Sequence, residues 1–199
     1  MKNIKNIPVL FLSVVLVAFA VSSCGSSGKV DNKINGGFEN ADSGDESPDG
    51  WYANSFAYKG EGAKLTVDND ISHSGGSSIS IVIPKSGSVQ QTVYNWVRRV
   101  DYVKPKEVYE LEGWIKTKNT KRSPFIEVQC WNDKTRKIVG SVTTVKKYNL
   151  TGTNNWKQVR AMFEVPPHTT KMIIRAGINS TQNKGSIVWF DDIKLNKVR

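Results

Sequence analysis

Two cysteines and two histidines are all the thiol and imidazole ligands that the 199 residues offer. Cys24 and Cys130 cannot build a disulfide framework. His73 and His168 are isolated, so no zinc-ligand spacing exists. No glycine-rich phosphate loop, nucleophile elbow or metal-hydrolase motif occurs. Helix signals are scarce. The one long apolar run, residues 8–21, is too short to span a bilayer comfortably. No second shift of composition, long linker or internal repeat divides the remainder. About 175 residues beyond the N-terminal segment suit one domain. These absences argue against a nucleotide-binding enzyme, a zinc enzyme and a disulfide-stapled module.

The N-terminal segment carries Lys2 and Lys5, then the apolar run, then Val21-Ser22-Ser23-Cys24. That ending resembles a bacterial lipobox. The resemblance implies cleavage before Cys24 and acylation of its thiol and amine; an ordinary secretory signal is the alternative. On this reading residues 1–23 are a signal peptide and 24–32 a Ser/Gly-rich flexible tether. Residues 33–199 are the domain, held at the cell envelope by a lipid anchor in the outer membrane or at the cell surface. The net charge of +10 becomes about +8 once Lys2 and Lys5 leave with the signal. Such a balance favours anionic surroundings: headgroups, acidic glycans or envelope polymers. Export leaves no role for nucleic acid.

Strand signals are many and short, separated by Gly, Asn, Ser, Asp and Pro clusters. They predict strands over 64–67, 77–83, 89–95, 109–117, 125–131, 138–145, 157–165, 171–178 and 186–195. An antiparallel all-β sandwich of the jelly-roll kind follows. Alternation then assigns faces. Ile126, Val128 and Cys130 form a core set, as do Met172, Ile174, Ala176 and Ile178, and Tyr109, Leu111 and Ile115. Opposite them stand Phe125, Glu127, Gln129 and Trp131; Arg175; and Glu110, Glu112 and Trp114. In 89–95, Val89 and Val93 read as core, leaving Gln90, Tyr94 and Trp96 opposite. A merely solvated face normally lacks tryptophan. In 186–195, Ile187, Trp189, Asp191, Ile193 and Leu195 share one parity. Asp191 is thereby expected among core residues, where a carboxylate needs a cation, a set of donors or a proton.

The order of short motifs carries a resemblance. Ile34-Asn35-Gly36-Gly37-Phe38-Glu39 opens the domain, followed by Pro48-Asp49-Gly50-Trp51 and His73-Ser74-Gly75-Gly76-Ser77-Ser78-Ile79. Tyr109-Glu110-Leu111-Glu112-Gly113-Trp114-Ile115-Lys116-Thr117, Trp156-Lys157-Gln158-Val159, Phe163-Glu164-Val165-Pro166 and Val188-Trp189-Phe190-Asp191-Asp192-Ile193 complete the series. Together they resemble carbohydrate-binding modules of the family 4, 9 and 22 type, with a galactose-binding-domain-like jelly roll, over nearly the whole domain. The resemblance implies a non-catalytic binder of poly- or oligosaccharide. It also implies one structural Ca2+ held by Glu39, Asp191 and backbone carbonyls. Trp51, Trp156 and Trp189 read as structural.

Sugar recognition needs an aromatic ring against the C–H face of a pyranose, with amides, carboxylates and Arg on the hydroxyls. Trp131, Gln129, Arg175, Glu127, Tyr94, Gln90, Trp96 and Trp114 are therefore the candidate carbohydrate-binding residues. Arg175 would suit an acidic sugar. No catalytic set is evident: neither histidine lies on a strand face beside a tyrosine, and no carboxylate pair stands out as a glycosidase dyad. The competing reading is an envelope assembly protein that uses the sandwich to contact other proteins, glycan-degrading enzymes among them.

Overall fold

The computed structural model describes residues 34–40, 47–54, 62–86, 93–179 and 181–199. Cys24, the signal, the tether and Gln90 lie outside these residues. Among the described residues, ten strands form two five-stranded antiparallel sheets. One has the order β1 (Trp51–Asn54), β4 (Val93–Val100), β9 (Lys171–Asn179), β6 (Phe125–Asn132), β7 (Lys137–Thr143). The other has the order β2 (Lys64–Asp68), β3 (Ser78–Val82), β10 (Ile187–Lys197), β5 (Val108–Thr120), β8 (Gly152–Glu164). Thr144–Lys146 is a single 3-10 turn. The sandwich expected from the short, turn-separated strands is the fold observed. Strand β1 and the early start of β8 were not evident in the sequence: β1 is only four residues long with no clear alternation, and β8 opens on a polar stretch.

The core lies between the sheets. Ile126, Val128, Cys130, Met172, Ile174, Ala176, Ile178, Leu111 and Ile115 are all buried there. Two expected face assignments are overturned. In β4 the core-facing set is Tyr94, Trp96 and Val100, at 1%, 0% and 1% exposure. Their combined aromatic area outweighs that of Val93 and its parity mates, so burying it wins. The Trp96 indole donates to Ser80 O at 3.1 Å across the core. In β10 a bulge falls between Asp191 and Lys194, where Asp192 takes φ +48. The extra residue flips the side-chain alternation. Val188 and Phe190 face the core before it, and Ile193 and Leu195 after it. Trp189 and Asp191 are thus buried on the outer side of the sheet.

The N-terminal segment is clasped onto β10. Ile193 N donates to Gly36 O at 2.9 Å, and the Trp51 indole donates to Ile34 O at 2.7 Å. A Cβ on Gly36 would lie 1.7 Å from Ile193 O, a backbone atom with no room to move. Gly36→Ala is therefore expected to break this clasp. The loss should be roughly 2–4 kcal/mol, read as a fall in melting temperature of at least about 5 °C.

Candidate functional site

The outer face of the β1-β4-β9-β6-β7 sheet gathers four of the expected residues. Cross-strand register places Arg175 beside Glu127, and Trp131 between Lys171 and Ile138. Gln129 is the hub. Its Oε1 accepts from Arg175 Nε at 3.0 Å and from the Trp131 indole at 3.3 Å. Its Nε2 donates to Glu127 Oε2 at 3.3 Å. Arg175 Nη1 also donates to Asn95 Oδ1 at 2.9 Å. Two of the five guanidinium hydrogens are thus spent in orienting the fork. The indole–amide bond lays Trp131 along the strand, beside the guanidinium.

The accessible part of the face lies over β6 and β7. Asn95 and Val97 are buried, whereas Ile138 is 47% exposed and Ser141 is open. Gly177 keeps the floor low between its neighbours: a Cβ there would meet Asn95 Cβ at 2.8 Å and Phe125 Cζ at 2.9 Å. Asn95 and Phe125 are site residues outside the expected binding set, although Phe125 was expected on this face. Phe125 shares the parity of Glu127, Gln129 and Trp131, which was a usable signal. Asn95 was hidden by the reversed assignment of β4.

Charges on this face are matched. Arg175 stands by Glu127, Lys171 pairs with Asp133, and Arg99 Nε donates to Asp101 Oδ1 at 2.6 Å. Burial pushes the Glu127 carboxyl above its ordinary value, and the Arg175 charge and the Gln129 amide only partly oppose that. The sign is definite. A raised carboxyl binds its proton more readily folded than unfolded, so its contribution to stability is lost as pH rises from 4.5 through the raised value. Glu127→Gln is expected to flatten the pH dependence of the melting temperature above pH 4.5 and to leave stability at pH 7 equal or higher. Melts across that range test it.

Three expected contacts fall elsewhere. Tyr94 and Trp96 are core residues and meet nothing outside, because β4 presents the opposite face from that expected. Trp114 lies on the outer face of the other sheet, under the ring of His73 at 3.8 Å between centroids and 15° between planes. The Trp156 ring meets His73 edge-on at 5.8 Å, so it too is outside the core. These aromatics hold the 73–77 loop down.

That loop is gripped by both expected metal ligands. Asp191, fully buried, accepts from His73 N at 2.7 Å and Ser74 N at 3.2 Å on Oδ2, and from Asp192 N at 2.6 Å on Oδ1. Glu39 accepts from Gly76 N at 3.0 Å and Ser77 N at 3.1 Å. His73 Nδ1 and Ser74 Oγ bond the Asp192 carboxylate at 2.7 and 2.9 Å. Burial pushes the Asp191 carboxyl up to about 6, against the pull of the three amides and with a smaller push from the Asp192 charge. Of the three ways to settle a buried acid, the donor set is the one visible here. Glu39 is exposed and needs no cation to offset burial. The two carboxylates still fit Ca2+ in ligand type and in meeting on one loop, although among the described residues no three His, Cys, Asp or Glu side chains are placed so that they could hold a metal ion together.

No protein-family model matches the chain, and no curated protein matches it in sequence. Solved structures do share its fold. It is similar to the enzymatically active domain of tailspike protein 4 of bacteriophage CBA120, at 16% identity and a TM-score of 0.58, over 77% of this chain. The chain spans only 20% of that protein's length. It is similar to the CBM22-1 xylan-binding domain from Paenibacillus barcinonensis, at 13% identity and a TM-score of 0.50, over 75% of this chain and 86% of that one. It is also similar to a Stig cyclase from Fischerella sp. TAU, at 17% identity and 0.55, over 83% and 94%. At these identities the likeness fixes the fold: a two-sheet β-sandwich that carbohydrate-binding modules and enzymes both use.

Proposed function

We propose that this protein is a non-catalytic glycan-binding lipoprotein of the bacterial envelope. The observation that carries it is the linked set on one half-open sheet face: the Trp131 ring, the Gln129 hub, the pre-oriented Arg175 fork and Glu127. An apolar ring beside fixed donors and acceptors is what a pyranose requires, and pre-orientation lowers the ordering cost of binding. The CBM22-1 neighbour, a xylan-binding domain, supports the reading. A neutral polysaccharide suits this face better than an acidic one, since Lys171 and Arg99 are paired with Asp133 and Asp101, and Arg175 faces Glu127 across the strands. Cys24 would carry the lipid anchor, and Glu39 with Asp191 would hold a structural Ca2+. Binding would keep polysaccharide near the surface for separate glycan-degrading enzymes.

A gel-retardation panel of neutral and acidic soluble polysaccharides tests the binding. Retention of a neutral glycan supports the reading. Retention of none, with an envelope protein recovered on the exposed β7 edge near Ile138, favours the assembly role instead.

A further inference from the structure

One end of the sandwich carries a set of cations with no acid in the loops that bear them. Lys64, Val82, Ile187 and Lys118 form one cross-strand row near that end. Beyond the row, several loops are tied together. Buried Asn183 accepts from Lys121 N at 2.7 Å and Arg122 N at 3.0 Å through Oδ1, and its Nδ2 donates to Asn179 O at 2.6 Å. Gly185 N donates to Ile83 O and Pro84 O at 3.1 and 3.2 Å, which brings in Lys85. Leu150 N donates to Ser123 Oγ at 3.1 Å, and Ser123 Oγ donates to Tyr148 O at 3.2 Å, which brings in Lys146 and Lys147. Residues 82–86, 118–126, 144–152 and 179–187 contain no Asp or Glu. Lys85, Lys118, Lys121, Arg122, Lys146 and Lys147 are all exposed. The bonds that converge on Asn183 and Ser123 give these cations a fixed platform, not a set of independent loops.

We propose that this basic end docks on an anionic phospholipid surface. Two observations favour a membrane over a soluble polyanion. Val145, 40% exposed, stands directly before Lys146 and Lys147; an apolar side chain beside cations fits the headgroup boundary. The second concerns reach and rests on the lipid-anchor reading of Cys24. The chain enters the fold at Gly36 on Ile193, six residues along β10 from the basic row and so about 20 Å from it. The ten residues from Cys24 to Ile34 extend to at most about 35 Å, so the anchored domain can lay this end on the leaflet. Each basic side chain near such a leaflet raises partitioning roughly fivefold at low salt. The Trp131 face lies on one sheet and the basic platform at the end, so both can be occupied together.

The test is co-sedimentation of the full chain with phosphatidylcholine vesicles containing phosphatidylglycerol, against vesicles of phosphatidylcholine alone. The ratio of the two cancels whatever an acyl chain or the apolar N-terminus contributes, so failure of the anchor reading, seen by mass at Cys24, stays separate. Lys121→Glu/Arg122→Glu/Lys146→Glu/Lys147→Glu is expected to lower that ratio at least about tenfold. A set of equal charge elsewhere, Lys134→Glu/Arg136→Glu/Lys137→Glu/Lys157→Glu, should lower it less than about threefold, and added salt should lower the wild-type ratio. If the first set does not fold, the corresponding glutamine set replaces it. The proposal is overturned by a wild-type ratio near one, by equal losses in the two sets, or by an acidic polysaccharide whose retention needs these residues while the vesicles do not.

Discussion

Trp131→Ala is expected to abolish retention of the bound polysaccharide, lowering affinity at least about 30-fold, while the melting temperature stays within about 2 °C of wild type. The binding loss follows from what the ring supplies. A central tryptophan at a recognition face commonly accounts for about 2 kcal/mol or more, which is about 30-fold. Alanine also removes the donor to Gln129 Oε1, leaving the hub held by Arg175 and Glu127. The fold should survive because Trp131 is outside the core. Ile126, Val128 and Cys130 fill the inner face of the same strand. Arg175→Lys is an informative companion measurement: a lysine cannot hold both Gln129 and Asn95 with one planar fork. Lost binding together with a falling melting temperature in Trp131→Ala would move the residue from recognition to structure.

The legible parts of this fold were those where one chemical pattern ran without interruption. β6 and β9 alternate cleanly, so their core faces and the opposed Trp131, Gln129, Glu127 and Arg175 could be read directly. β4 failed because both its parities contain apolar residues, and deciding between them required knowing that the strand runs on to Val100. β10 failed for a different reason. Its alternation is regular in sequence, but Asp192 adopts φ +48 and absorbs one residue in a bulge. Nothing in a period-two pattern announces that step. The bulge had a consequence for chemistry. Asp191 looked like an acid among core residues, whereas it is buried by a loop that its own carboxylate organises. Trp114 was misplaced because adjacent strands in sequence need not share a sheet: β5 pairs with β10 and β8, β6 with β9 and β7. Side-chain parity can say that a residue faces outward, but only sheet membership says which outside.

Asp191→Ala should destabilise the fold more than Gly36→Ala, Trp131→Ala or Glu127→Gln, with an expected loss of roughly 3–5 kcal/mol. The carboxylate accepts three backbone hydrogens, from His73, Ser74 and Asp192. Alanine strands all three in a part-buried setting, where an unsatisfied donor that water does not reach costs about 1–3 kcal/mol. The damage should spread along the loop. His73 would lose its anchor and with it the stack on Trp114, and Trp156 would be uncovered. Glu39→Ala removes acceptors from the other end of the same loop, but at an exposed position where water can replace them, so its cost should be smaller. The pair of variants also separates two origins of the stability. If amide capping alone holds the loop, chelation followed by added Ca2+ leaves the wild-type melting temperature unmoved and releases no heat in titration. If Ca2+ joins the two carboxylates, the ion raises the wild-type melting temperature, and each of the two substitutions removes that rise. A rise that survives Asp191→Ala would place the ion elsewhere.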